Sequence, residues 1–203
     1  MKQKNAQQLI KSLILTGFNP DGAKSKMTTI KKLIRESKAT IVTMQETKCY
    51  QYGQLKFDGF YTYEHLRSNR EGGGVALVAL KELNPSFVND GGENVEAIRV
   101  DISLKDMSVC VISAYGPLEN AEAAKKNQFW EYLSEQAQCA RASGKGLIIQ
   151  GDLNAWLGSN YLPGDLRPQN GNGRLFQRFV EQNYLTCVNS LPLTEGLITR
   201  RRK

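Results

Sequence analysis

Leu147-Ile148-Ile149-Gln150-Gly151-Asp152-Leu153-Asn154-Ala155 is the stretch that decides how this chain is read. Its apolar opening is short enough for a buried strand, and Gly-Asp marks where that strand stops. Residues two apart on extended backbone share a face, so Asp152 and Asn154 are expected to leave the sheet edge side by side. A carboxylate beside a carboxamide can bind a divalent cation, orient a water and hydrogen-bond a phosphate oxygen. An Asp and an Asn that only cap a turn would look the same, so the reading depends on the rest of the chain.

Working outward, the same pattern of strand followed by polar turn recurs. Ser12 to Phe18 reads as a strand, residues 23–36 as a helix with Met27, Ile30, Leu33 and Ile34 on one face, and Thr40 to Met44 as a β-branched strand. Gly74 to Leu80 is apolar throughout, as a strand buried on both faces would be. Ile98, Val100, Ile102 and Leu104 alternate with Arg99, Asp101 and Ser103, and Met107 to Ala114 follows the Lys105-Asp106 turn, predicting a hairpin. Residues 120–142 form a long helix with Phe129, Trp130, Leu133, Ala137 and Ala140 inward, closed by Gly144. A second helix is expected from Arg174 to Glu181, then a strand from Leu185 to Val188. Helices interleaved with hairpins point to two sheets covered by helices.

At 203 residues, 40% hydrophobic and 23% charged, the chain can bury one good core. Without a Pro-rich or Gly/Ser-rich linker or a repeat, residues 1–203 read as one domain. No apolar run approaches the roughly 20 residues that span a bilayer, so no membrane partner is expected. Leu13-Ile14-Leu15 is too short for a secretory signal. Cys49, Cys110, Cys139 and Cys187 are scattered, which argues against a zinc site or disulfide framework and for a reduced, intracellular protein. The net charge of +7 suggests a polyanionic partner, but the tail from Arg200 to Lys203 supplies four of those charges.

Asn19, Glu46 and Tyr115 repeat the placement of Asp152 and Asn154, each lying where a strand finishes. Ligand sites in layered α/β proteins form at such ends. Each residue alone is ordinary at a turn or surface. Gly72-Gly73-Gly74 is not followed by Lys-Ser or Lys-Thr, and a strand rather than a helix comes next, so it reads as a tight turn and not a nucleotide loop. His65, the one histidine, is expected to face solvent.

In order, Asn19-Pro20-Asp21-Gly22, Gln45-Glu46-Thr47-Lys48, Gly72 to Leu77, Ala114-Tyr115-Gly116-Pro117, Gly151 to Ala155 and Asn170-Gly171-Asn172-Gly173-Arg174-Leu175 cover nearly the whole chain. This ordered set resembles the endonuclease/exonuclease/phosphatase superfamily, and within it the apurinic-type endonuclease domain of non-LTR (LINE-type) retrotransposons. The resemblance implies a four-layer α/β sandwich with two central mixed β-sheets flanked by helices. It implies a Mg²⁺-dependent nuclease, with Mn²⁺ as a substitute, that nicks DNA and acts in the nucleus. Glu46, helped by Asn19, would hold the metal. Asp152 would activate the water, Asn154 would hydrogen-bond the scissile phosphate, Tyr115 would support the phosphate or leaving group, and Asn172 would contact substrate.

The family carries two further segments near its C-terminus, an Asp after Ser or Asn and an Asp before His, and neither follows Leu197-Ile198-Thr199-Arg200. Leu118 also stands where related nucleases often have Asn. An incomplete domain without its C-terminal strands, and with weakened catalysis, is therefore expected. Two other functions stay open: an inactive remnant that holds nucleic acid or metal, and a hydrolase of nucleotides or phosphoinositides.

Overall fold

The computed structural model describes residues 12–67, 72–159 and 167–191. These divide into two compact units, one running up to Tyr115 and including Cys139–Asp152, the other comprising Gly116–Gln138 and the residues from Leu153 onward.

The first unit contains two four-stranded sheets. One has the order β1 (Leu15–Phe18), β2 (Ile41–Gln45), β4 (Val75–Leu80), β3 (Phe60–His65). The other has the order β5 (Ser86–Asp90), β6 (Ala97–Ser103), β7 (Ser108–Tyr115), β8 (Gly146–Asp152). Each is mixed, because β1 with β2 and β7 with β8 are parallel while the other neighbours are antiparallel. The apolar run of β4 is explained by burial on both faces. Val75, Leu77 and Ala79 pack with Ile41 against Ile98, Val100, Ile102, Val109 and Val111 of the second sheet. Ala76 and Val78 join Val42 and Met44 beneath Ile30 and Ile34 of helix α1 (Met27–Ser37).

Polar residues interrupt the apolar layer between the sheets. Thr43 Oγ1 lies 3.2 Å from Gln150 Oε1, Gln45 Nε2 donates to Ser113 Oγ at 3.3 Å, and Ser113 Oγ donates to the Ala76 carbonyl. Such buried groups must pair.

The second unit holds most of helix α2 (Ala123–Ala142) and helix α3 (Gly171–Gln182). Its core is aromatic: the Trp130 ring centroid lies 5.1 Å from Phe129, 5.5 Å from Phe179 and 6.0 Å from Phe176. Asn183 Nδ2 donates to Ser134 Oγ and to the Phe179 carbonyl. Gly144, at φ +64°, ends α2 with its N–H on the Arg141 carbonyl, as the sequence predicts.

The structure departs from the sequence reading at several places. The helix expected over 23–36 opens with a 3₁₀ turn, Lys24–Lys26, and is α-helical only from Met27. Leu185 to Val188 is not a strand; this segment has no ladder partner among the described residues, Tyr184 and Val188 are exposed, and a 3₁₀ turn follows at Val188–Ser190. The sequence reading specifies neither β3 nor β5, because both carry mixed, half-exposed side chains. His65 does not face solvent. It sits on β3 at 7% exposure, its Nδ1 3.3 Å from Asp90 Oδ2, since β3 turns that face toward β5. The Arg200 to Lys203 tail and the place expected for further C-terminal strands lie outside the described residues.

Candidate active site

Parallel pairing brings strand ends together. With Phe18 opposite Met44 and Tyr115 opposite Asp152, the C-terminal ends of β1 and β2, and of β7 and β8, finish level. Gly151 permits this in β8: a Cβ there would stand 1.8 Å from the Ala114 carbonyl oxygen, so only glycine allows the strands to close at that step.

Four of the predicted residues converge in the first unit. Asn19 Nδ2 donates to Glu46 Oε1 at 2.7 Å and lies 3.3 Å from Asp152 Oδ2. The Tyr115 hydroxyl donates to the same Glu46 oxygen at 3.0 Å. Two carboxylates that would repel each other are thus bridged by one carboxamide. The Asn19 Oδ1 accepts the Asp21 N–H at 2.9 Å, which orients the amide nitrogen toward the carboxylates. Asn19 therefore acts here as a bridge that positions Glu46 and Asp152.

The backbone beneath Glu46 is strained and braced. Asp21, Glu46 and Lys48 adopt positive φ values of 49°, 51° and 50°. Such conformations persist only where surrounding contacts enforce them, and they gather at functional sites. The Glu46 carbonyl accepts from Gly22 N–H at 2.9 Å, Thr47 N–H donates to Gly74 at 3.1 Å, and Lys48 N–H donates to Gly73 at 2.9 Å. Gly74 must be glycine, since its φ is +82° and a Cβ would lie 2.7 Å from Thr47 Oγ1. The sequence reads the triple glycine as a tight turn into β4; in the structure Gly73 and Gly74 also accept from the backbone that follows Glu46. Behind it the Glu96 carboxylate accepts from Gly74 N–H and Arg67, while the Glu96 carbonyl accepts from Tyr115 N–H at 2.8 Å.

Lys48 and Asp21 have no role in the sequence reading but belong to this site. Lys48 Nζ pairs with Asp21 and stands 4.0 Å from Glu46 Oε2. The hydrogen bond that Lys48 donates to the Asp21 carboxylate raises the pKa of its ammonium above the ordinary lysine value. No local pattern marks them: each lies in a left-handed turn two residues beyond a predicted site residue, Asn19 and Glu46.

The second unit holds the remaining two predicted residues. Asn154 has φ +50°, so extended backbone ends before it and the shared-face argument stops at Asp152. Its Nδ2 donates to the Gly116 carbonyl at 2.8 Å, and its own carbonyl accepts from Asn170 Nδ2 at 3.0 Å. Asn172 is fully buried in the first turn of α3, which starts earlier than predicted. Its Nδ2 donates to the Pro117 carbonyl at 2.6 Å, and its Oδ1 is buried without a partner among the described residues. Asn170 caps α3, its side chain accepting the Gly173 N–H at 2.7 Å.

Known proteins share this arrangement of elements. The endonuclease domain of TRAS1, a telomere-specific non-LTR retrotransposon, superposes with a TM-score of 0.65 at 18% identity, over 90% of this chain and 75% of that one. The Xenopus laevis APE2 catalytic domain gives a TM-score of 0.61 at 17% identity, over 83% of this chain and 66% of that one. At such identities the likeness establishes the α/β fold with two mixed sheets. In sequence the chain is 27% identical over 171 residues to craniofacial development protein 2 of Tragulus javanicus, covering 82% of this chain and 30% of that relative's length. The model of the Endonuclease/Exonuclease/phosphatase family matches residues 7–192. The chain belongs to that family of nucleases and phosphatases.

Proposed function

We propose that this chain is a metal-dependent phosphodiesterase that nicks DNA. The observation that carries the reading is the Asn19 carboxamide between Glu46 and Asp152, with the Tyr115 hydroxyl on the same Glu46 oxygen. DNA as substrate is supported by the family and by the basic charge of +7.

The donor set suits a hard cation. Among the described residues no three His, Cys, Asp or Glu side chains gather as a protein-only metal cage. Mg²⁺, or Mn²⁺ in its place, is commonly held by one or two carboxylates while keeping several waters, and Glu46, helped by the Asn19 carboxamide beside it, would supply such oxygens. When bound, the cation supplies positive charge against the phosphate as negative charge builds during in-line attack.

The chain's own groups supply the rest. Asp152 orients the attacking water and accepts its proton, and the Asn19 N–H group keeps that carboxylate aimed. Tyr115, whose hydroxyl already donates to an anionic oxygen, supports the phosphate or the departing oxygen. Asn154 hydrogen-bonds the scissile phosphate. Asn172 fits best as a positioning residue, its buried amide tying the Pro117 and Asn154 carbonyls together.

The test is supercoiled plasmid with Mg²⁺, alongside EDTA and Asp152→Ala. Conversion to nicked circles that is lost in both controls is expected. A folded chain that leaves the plasmid intact overturns the nuclease, and salt-dependent DNA retention without cleavage would then identify an inactive binder. Hydrolysis of nucleotides or phosphoinositides with intact plasmid would identify the phosphatase branch instead.

A further inference from the structure

Helix α1 carries a charge pattern that its fold does not require. From Lys24 to Lys38 six of fifteen residues are Lys or Arg and one, Glu36, is acidic. Six basic residues less one acidic place five of the chain's net +7 in this stretch, and the tail from Arg200 to Lys203 carries four more, so the remainder is net acidic. Ile30 and Ile34 pack inward on β2 and β4. Lys31, Lys32 and Arg35 lie by helical spacing on the opposite side, and they and Lys38, just past the helix, are exposed.

A solvated helical face mixes signs, so that charges three or four residues apart attract. Here Arg35 has Lys31, Lys32 and Lys38 at those spacings and no carboxylate. Lys32 does face Glu36, at 3.7 Å, but both side chains of that pair are more than half exposed and it contributes little. The helix dipole favours cations in the last turn, which suits Arg35 but not Lys31 or Lys32. Like charges at helical spacing destabilise a helix, and an anion laid across them removes the repulsion.

We propose that the outer face of α1 is a second contact for nucleic acid, in which Lys31, Lys32, Arg35 and Lys38 hold the phosphate backbone of duplex DNA outside the active site. Along the helix Arg35 stands about 6 Å from Lys31 and about 4.5 Å from Lys38, one to two steps of a DNA strand at roughly 3.4 Å each. Helix α1 has no aromatic residue, so unpaired bases find nothing to stack on and the contact is to phosphate. Its apolar stripe, Ile30 and Ile34, is held in the core and is not offered to a membrane. The segment leaves the active site where Ala23 N–H donates to the Thr47 carbonyl at 2.8 Å, and returns to the strand starts where Thr40 N–H donates to the Ile14 carbonyl at 2.9 Å. The four cations therefore lie about 12 to 22 Å along the helix from Ala23, and act on binding and not on the reacting phosphate. The inference rests on DNA as the partner in the proposed function, and not on its cleavage.

The experiment measures fluorescence anisotropy of a labelled DNA duplex of about 40 bp with the whole chain in EDTA, titrated across salt, so that binding is read even if nicking fails. Lys31→Gln combined with Arg35→Gln is expected to weaken binding by about tenfold at low salt and to lower the slope of log K against log salt by about 1.8, the share of two phosphate contacts. Glutamine keeps the helix propensity, so this variant should melt no lower than wild type. Lys105→Gln combined with Lys125→Gln removes the same charge from exposed positions elsewhere and should change affinity and slope much less. On plasmid with Mg²⁺ the α1 variant should raise KM and leave kcat unchanged. Equal losses in the two double variants overturn the proposal, since net charge alone would then govern binding, and so does unchanged affinity in a folded α1 variant. Tighter binding to an RNA duplex of the same sequence, lost in the α1 variant, overturns DNA as the partner. Salt-dependent binding that the α1 variant loses, without nicking by wild type, upholds this contact and overturns the nuclease reading alone.

Discussion

Glu46 in the first unit and Glu119 in the second each accept two hydrogen bonds, yet the donors differ in kind. Glu46 receives the Asn19 amide and the Tyr115 hydroxyl, both on Oε1, from side chains 27 and 69 residues away. Glu119 receives the backbone N–H groups of Gly171 and Asn172, one on each oxygen. Those amides begin α3, where the helix has donors without internal partners and a positive dipole end. A carboxylate gripped on both oxygens by backbone is a staple for the helix. One held on a single oxygen by side chains keeps its other oxygen for a cation, and Glu46 Oε2 lies 4.0 Å from Lys48 Nζ.

Glu46→Gln should break this contrast most sharply. Nicking is expected to fall by about 10²–10⁴-fold, the usual worth of an electrostatic or acid/base group, with little change in melting temperature. If melting collapses along with activity, Glu46 is a staple like Glu119 and the distinction fails. Tyr115→Phe removes one donor and leaves the carboxylate, so a loss of roughly tenfold in nicking is expected, near the low end for a hydrogen bond to a charged group. An unchanged rate would show that the hydroxyl neither supports the phosphate nor helps to place Glu46.

Glu119→Gln should act on stability alone, by about 0.3–1 kcal/mol as for other charges at helix N-termini, with nicking at low temperature unchanged. The pH dependence sharpens this. Slight burial disfavours the charged form of Glu119, but the amides of Asn172 and Gly171, then Lys126 and Arg174, outweigh it and hold the carboxyl below the usual range. A depressed folded-state pKa stabilises above the unfolded value, about 4.3, and that contribution is lost as pH falls through the folded one. Thermal melts of wild type and Glu119→Gln should therefore differ at neutral pH and converge in acid. Parallel curves at all pH values would show that the charge contributes nothing to the fold.

The strands that the sequence made legible are those with a consistent burial pattern. In β4, burial on both faces produced an unbroken apolar run, and in β6 Ile98, Val100 and Ile102 alternated with more polar neighbours. Strands β3 and β5 escaped because apolar side chains such as Tyr61 and Phe87 stay exposed and erase the alternation. His65 was misread for the same reason: its face is set by the sheet partner, not by its neighbours in sequence. At the site, Asn19, Glu46, Tyr115 and Asp152 were legible as polar residues ending apolar strands. The pairing of Lys48 with Asp21 was not, because both residues lie in left-handed turns that local pattern does not specify. Nor was the burial of Asn172, which follows from α3 starting at Gly171 instead of Arg174.

By itself, the sequence determined most of the strands and helices and the polar residues that finish β1, β2, β7 and β8, because burial, alternation and turn chemistry are local properties. Only the tertiary structure decided that Asn19 stands between Glu46 and Asp152 and that Tyr115 shares the Glu46 oxygen. Those contacts join residues up to 133 positions apart, and their geometry is set by parallel strand pairing and sheet packing, which no local stretch contains.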